Sequence, residues 1–131
     1  MPDKKESLYP PDWIKKAKKD MERVEKRLKD SDFEDAAFHL QQALEKYLKA
    51  YLLFKGWRLK RIHDLEELLD EAIKYNPKFE SFRKTCQKVT GYYLIDRYPF
   101  VTEAPPSKEI QKSLKEAEKL VTLISTDMKN K

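Results

Sequence analysis

The stretch AAFHLQQALEKYLKAYLLFKG, Ala36 to Gly56, decides the fold. It is long enough for about six helical turns at ~1.5 Å per residue, and neither Pro nor Gly interrupts it before its last position. Apolar residues occupy most of its circumference, among them Ala37, Phe38, Leu40, Ala43, Leu44, Tyr47, Leu48, Tyr51 and Leu52. Polar residues crowd into one narrow stripe, Asp35, His39, Gln42, Lys46 and Lys49, with Gln41 and Glu45 beside it. A helix with so little polar surface has to be covered on several sides.

The flanking sequence supplies that cover. Asp12, after Pro10-Pro11, is placed to cap a first helix reaching about Lys29, with Ile14, Ala17, Met21, Val24 and Leu28 on one face. Asp30-Ser31-Asp32 reads as a tight connection in which Ser31 or Asp32 caps the central helix, so the first two helices are antiparallel neighbours. Gly56 stands where a helix C-terminus wants a left-handed residue. A loop carrying Lys55, Trp57, Arg58, Lys60 and Arg61 leads to Asp64, the expected cap of a short third helix that stops at Asn76-Pro77.

A fourth helix is expected from Pro77 to Tyr98, with Phe79, Phe82, Cys86, Val89 and Tyr93 inward and Arg97 at the inner edge of its last turn. Gly91 lies in its middle, where it costs about 1 kcal/mol relative to Ala and invites a close approach by another backbone or a ligand. Phe100 to Pro106 is an extended connector, and Ser107 caps a fifth helix with the row Ile110, Leu114, Ala117, Val121, Ile124 and Met128. No strand pattern and no internal repeat competes. The expected architecture is all-α: one domain over residues 8–129, an up-and-down antiparallel bundle of four long helices plus one short helix.

Composition narrows the function classes. A chain of 131 residues can bury a core without disulfides or metal. A net charge of +5 permits an anionic partner without requiring one. Abundant Lys and Glu lean towards a heat-adapted intracellular protein. A single cysteine excludes an internal disulfide, and two Gly residues exclude a Gly-rich phosphate cradle, so no cofactor is expected. Two separated histidines and one cysteine argue against a metal site. MPDKKESLYPPDW has no signal-peptide core, and no apolar run approaches the roughly 20 residues of a membrane span. A cytoplasmic protein is expected.

Candidate chemistry sits on few side chains. His39 is either a satisfied histidine paired with Asp35 or a titratable group in a groove. His63 either bonds the start of the third helix and packs over Trp57, or joins Arg58 in an Arg-x4-His pair suited to metal-independent RNA cleavage. Arg97 either complements a helix C-terminus and pairs with Glu45 or Asp96, or grips phosphate, with Tyr92, Tyr93 or Tyr98 stacking a base. Carboxylates such as Glu66-Glu67 and Asp70-Glu71 read as a solvated helix face.

The run AAFHLQQALEKYLKAYLLFKGW, then IHDLEELL, then YYLIDRYP resembles the HEPN family (higher eukaryotes and prokaryotes nucleotide-binding), from about Trp13 to Ile124. The resemblance implies a helical bundle that commonly dimerises, often beside a minimal nucleotidyltransferase in toxin–antitoxin pairs. Catalytic members carry Arg-x4–6-His near the end of the bundle. Here the matching arginine is Arg97, and Thr102, Glu103 and Ala104 stand where the histidine belongs. What the resemblance carries over is Arg97 with Asp96 and Tyr98, and His63 with Asp64, as a binding site or a structural corner. The leading expectation is a non-catalytic nucleotide- or RNA-binding site built from Arg97, Asp96, Tyr98, Tyr93, His63 and Lys49. The alternatives are a divergent ribonuclease using Arg97 or Arg58 with His63 or His39, and a structural partner without ligand. A homodimer is expected because the central helix has more apolar circumference than thin neighbours cover easily.

Overall fold

The structure, a computed structural model, describes residues 7–97 and 106–129, with the backbone alone for 93–97. Five α-helices follow in order: α1 Pro10–Lys29, α2 Phe33–Phe54, α3 Leu65–Ile73, α4 Arg83–Arg97 and α5 Ser107–Lys129. A 3-10 helix, Pro77–Phe82, precedes α4, and no strand occurs among the described residues. The all-α bundle is as expected.

Helix α2 is the axle. Helices α1, α3, α4 and α5 all pack on it. Leu40, Leu44, Leu48, Tyr51 and Leu52 have no exposed surface, and burial of each such leucine contributes roughly 1.5–3 kcal/mol. One chain covers most of the helix by itself, while Phe38, Leu53 and Phe54 keep partial exposure, so burial of α2 does not by itself require a second copy.

Helix boundaries follow local chemistry. Asp32 caps α2 by accepting from the Asp35 amide at 3.2 Å. Asp64 caps α3 by accepting from the Glu66 amide at 2.8 Å. Helix α1 departs from expectation at its start, because Pro10 and Pro11 lie inside its first turn and Asp12 follows them. Proline fits there, since the first helical amides have no intrahelical acceptor to lose. Asp12 accepts from the Ser7 hydroxyl at 2.6 Å instead.

Two helix ends share one closing motif. After α2, the Trp57 amide bonds the Leu52 carbonyl at 2.9 Å and the Gly56 amide bonds Leu53 at 3.0 Å, with Gly56 at φ 93°. After α1, Asp32 bonds Arg27 at 2.8 Å and Ser31 bonds Leu28 at 3.1 Å, but Ser31 takes the left-handed position at φ 59°. Both are Schellman closures, one relaxed and one carrying the Cβ cost of a left-handed residue.

Corrections fall on the later helices. The Pro77 stretch begins as a 3-10 turn, which Asn76 caps through the Lys78 amide at 3.0 Å. Arg83 then opens α4 by reaching Glu66 at 2.9 Å, Asp70 at 2.7 Å and Glu80 at 2.6 Å. The charged face of α3 is thus partly a clamp, and its partners, Glu80 first, hold the guanidinium well above its ordinary pKa. Glu71 accepts from the Trp57 indole at 3.1 Å. On α5 the fully inward row is Ile110, Ser113, Ala117, Leu120 and Ile124, while Leu114, Val121 and Met128 are its half-buried flank. A Cβ built at Gly91 meets nothing within 4 Å, so no close approach requires this glycine among the described residues. The expected connector from Phe100 lies outside the described residues up to Pro106.

The Tyr51 hydroxyl donates to the Asp127 carboxylate, tying the end of α5 to α2. Burial and then the Asp127 carboxylate push this phenol above its ordinary value of 10. A raised folded-state pKa stabilises the fold at pH values below the unfolded one and loses that contribution as pH rises. Unfolding free energy should therefore fall above pH 10, and Tyr51→Phe should flatten that fall in urea titrations. In the same assay Ser31→Gly should stabilise by about 1 kcal/mol and Gly56→Ala should destabilise by a similar amount. Gly91→Ala should stabilise by roughly 0.5–1 kcal/mol; a loss there would mean that something packs on this position.

Candidate functional site

One cluster of buried charge lies on α2 towards the loop before α3. Gln41, Glu45 and Lys49 succeed one another at single-turn spacing on α2 and are 0%, 6% and 2% exposed. The Lys49 ammonium donates to Glu45 Oε2 at 3.0 Å. His63 Nδ1 meets the same oxygen at 3.0 Å. The Gln41 amide nitrogen reaches Glu45 Oε1 at 3.2 Å and the His63 carbonyl at 3.1 Å. Gln42 completes the set by donating to Gln41 Oε1 at 2.7 Å. On the α1 side, Lys49 Nζ lies 5.5 Å from the Trp13 ring centroid, a cation–π distance.

Such a pair is expensive to bury, because desolvation of two charges offsets much of their attraction unless further bonds complete it. Here they do. Among the described residues no buried side-chain polar atom lacks a partner. The network has one exposed end, His63, whose side chain is 61% exposed while Glu45 and Lys49 are covered. With a carboxylate on Nδ1, the ring proton belongs on Nδ1 and Nε2 is left to accept from another group. Lys49 is itself covered and reaches the surface only by way of Glu45 and His63. Sequence reasoning brought Lys49 and His63 together without their link, Glu45. Its signal was a charged pair four residues apart, Glu45 and Lys49, on a mostly apolar helix.

The polar stripe of α2 is the seam with α1. Asp20 is buried on α1 and accepts from Lys46 and from His39 Nδ1, the latter at 2.9 Å. His39 Nε2 lies 3.4 Å from Asp35, which also takes Arg27 Nε at 2.8 Å. The expected Asp35 partner is present, but Asp20 is the nearer one. Asp20 is a buried charge on the inner face of α1, and the stripe faces it. His39 and Lys46 thus join two helices and do not line a groove.

Arg97, Asp96 and Tyr93 belong to the last turns of α4, and their side chains lie outside the described residues, as does Tyr98 altogether. Tyr92 is described and does not stack on a base: it is buried, with its hydroxyl 3.0 Å from Ser113 Oγ. Arg58 is exposed on the loop, whereas His63 is committed to Glu45. The Cys86 thiol, buried, is pushed up to about 12 and is no nucleophile near neutral pH. No cluster of His, Cys, Asp or Glu able to hold a metal occurs among the described residues, and no helix there is long and apolar enough to cross a membrane.

The sequence pattern of the HEPN domain matches residues 11–128. The chain is 26% identical over 135 residues to "Putative toxin MJ1304" of Methanocaldococcus jannaschii, covering 91% of this chain and 88% of that one. Among solved structures, ST0689, an archaeal HEPN homologue, matches with a TM-score of 0.74 at 25% identity, over 92% of this chain and 98% of its own. TT1696 from Thermus thermophilus gives the same score and identity over 89% and 96%.

The buried pair predicts unequal costs. Glu45→Leu leaves the Lys49 ammonium without its carboxylate and should cost about 3–5 kcal/mol. Lys49→Met leaves Glu45 with Gln41 and His63 and should cost clearly less. Urea denaturation of the two variants checks the order.

Proposed function

Because the chain belongs to the HEPN family, we propose that it is a nucleotide- or RNA-binding module of toxin–antitoxin type, the non-catalytic partner of a minimal nucleotidyltransferase in the cytoplasm. The observation that carries this reading is the buried Glu45–Lys49 pair reaching the surface through His63. Next to His63 in the chain, Arg58, Lys60 and Arg61 are exposed. Such cations are suited to phosphate oxygens, and His63 Nε2 to a ribose or base hydroxyl or amine. Arg97 supplies the bidentate grip on phosphate, with Asp96 beside it in the chain, and Tyr93 or Tyr98 stacks the base. Similarity to a protein named as a putative toxin supports the toxin–antitoxin setting. A second copy of the chain completes the assembly as a homodimer.

One observation favours a second reading, a divergent metal-independent ribonuclease. A carboxylate on Nδ1 is the arrangement that orients an imidazole for proton transfer at Nε2, and Glu45 provides it. Arg97 or Arg58 would then steady the phosphate.

Titration of the chain with ATP and with a short single-stranded RNA separates the readings. His63→Ala and Arg97→Ala should each weaken binding at least tenfold, about 1.4 kcal/mol. Unchanged affinity in both variants would refute the binding site and leave a structural bundle. Cleavage of the RNA in EDTA that disappears in His63→Ala would instead establish the ribonuclease.

A further inference from the structure

Outside the Glu45–Lys49–His63 network, the 3-10 helix and α4 form one wall of a groove and α5 forms the other. The groove encloses about 290 Å³ and is lined by Lys84, Thr85 and Lys88 on one side and Lys112, Ser113 and Glu116 on the other. None of these residues takes part in the Glu45–Lys49–His63 network. Lys84 and Lys88 stand one turn apart on α4, a spacing at which like charges work against the helix. Lys88 has a distant carboxylate, Glu109, at 3.8 Å. Lys84 and Lys112 have no ion-pair partner within 4 Å among the described residues. Glu116 is itself 3.4 Å from Lys119, outside the groove lining.

The floor adds direction to this charge. Ser113 is buried, and the Tyr92 hydroxyl 3.0 Å away holds its oxygen in place. With Tyr92 as donor, the Ser113 proton is available to an acceptor in the groove, and the Thr85 hydroxyl is a second source. Convergent cations and hydroxyl donors are the chemistry of an oxyanion. Lysines act as point charges and do not impose the two-pronged geometry of arginine. At about 290 Å³ the cavity lies at the lower edge of the ~300–1,000 Å³ typical of small-molecule sites. It suits one phosphoryl group and its substituent. Lys108, exposed one turn before Lys112, continues the strip along α5.

We propose that this groove between α4 and α5 is a phosphoryl-binding site, in which Lys84, Lys88 and Lys112 hold the oxygens and Ser113 and Thr85 donate to them. The site is built from residues other than His63 and Arg97, and it does not depend on them. The phosphoryl group comes either from an internal phosphodiester of a nucleic-acid strand or from a terminal phosphate.

The test is titration of the ¹⁵N-labelled full chain with inorganic phosphate at fixed ionic strength. Amides of residues 84–88 and 109–116 should shift saturably. The double variant Lys84→Gln/Lys112→Gln should weaken that binding at least tenfold. Lys15→Gln/Lys18→Gln, which removes the same charge from α1, should change it less than twofold. Absence of saturable shifts in the groove, or equal weakening by both doubles, would overturn the site. Two single-stranded RNAs, identical except for a 5′-phosphate, then identify the source: equal affinity assigns internal phosphodiesters, and dependence on the 5′-phosphate assigns a terminal one. Because phosphate and these lysines are read out, the outcome is independent of His63→Ala and Arg97→Ala.

Discussion

The rest of the bundle depends on wrapping α2. Leu40, Leu44, Leu48, Tyr51 and Leu52 have no exposed surface, and each of the other four α-helices lies against it. A helix nearly apolar all round has no stable exposed state, so its neighbours must come from all sides. The short connection through Asp30 and Ser31 puts α1 alongside at once, and the later helices close the remaining faces. Tyr51 extends the wrapping to the end of α5 through Asp127, and its ring packs 4.7 Å from Phe79, where the chain turns into α4.

Wrapping an axle that still carries polar residues creates the chemistry. Two solutions appear on the same helix. Towards α1, Asp20 receives His39 and Lys46, a seam that stays within the fold. Towards the loop before α3, Glu45 gathers Lys49, Gln41 and His63. Only the second reaches solvent through an exposed ring. A buried charge needs partners wherever it is placed, but a buried charge that ends on an exposed histidine also conveys its state outward. That difference makes the Glu45 network the candidate site and the Asp20 cluster a strut.

The groove between α4 and α5 arises differently. Its lysines are surface residues on helices whose inner rows are mostly apolar, and the groove between the two helices brings them together. Helical periodicity finds inner rows, since those repeat along one chain segment. It does not find a site assembled from the outer edges of two helices. Lys84, Lys88 and Lys112 carry no sequence signal beyond ordinary surface charge.

The sequence by itself determined the five helices, their order and the centrality of α2, because periodicity and capping act within a few residues. Asp32, Asp64 and Gly56 fulfil their local roles for that reason. It also determined the family kinship, through three segments in fixed order. Only the tertiary structure decided which polar residues of α2 are buried, that Asp20 rather than Asp35 is the nearer partner of His39, and that Lys49 and His63 share Glu45. Those outcomes depend on which helix face meets which, and contacts between residues nineteen or eighteen positions apart are set by packing of whole helices. The stretch Ala36 to Gly56 announced that it must be covered; the covering helices decided which of its charges became structure and which reached the surface.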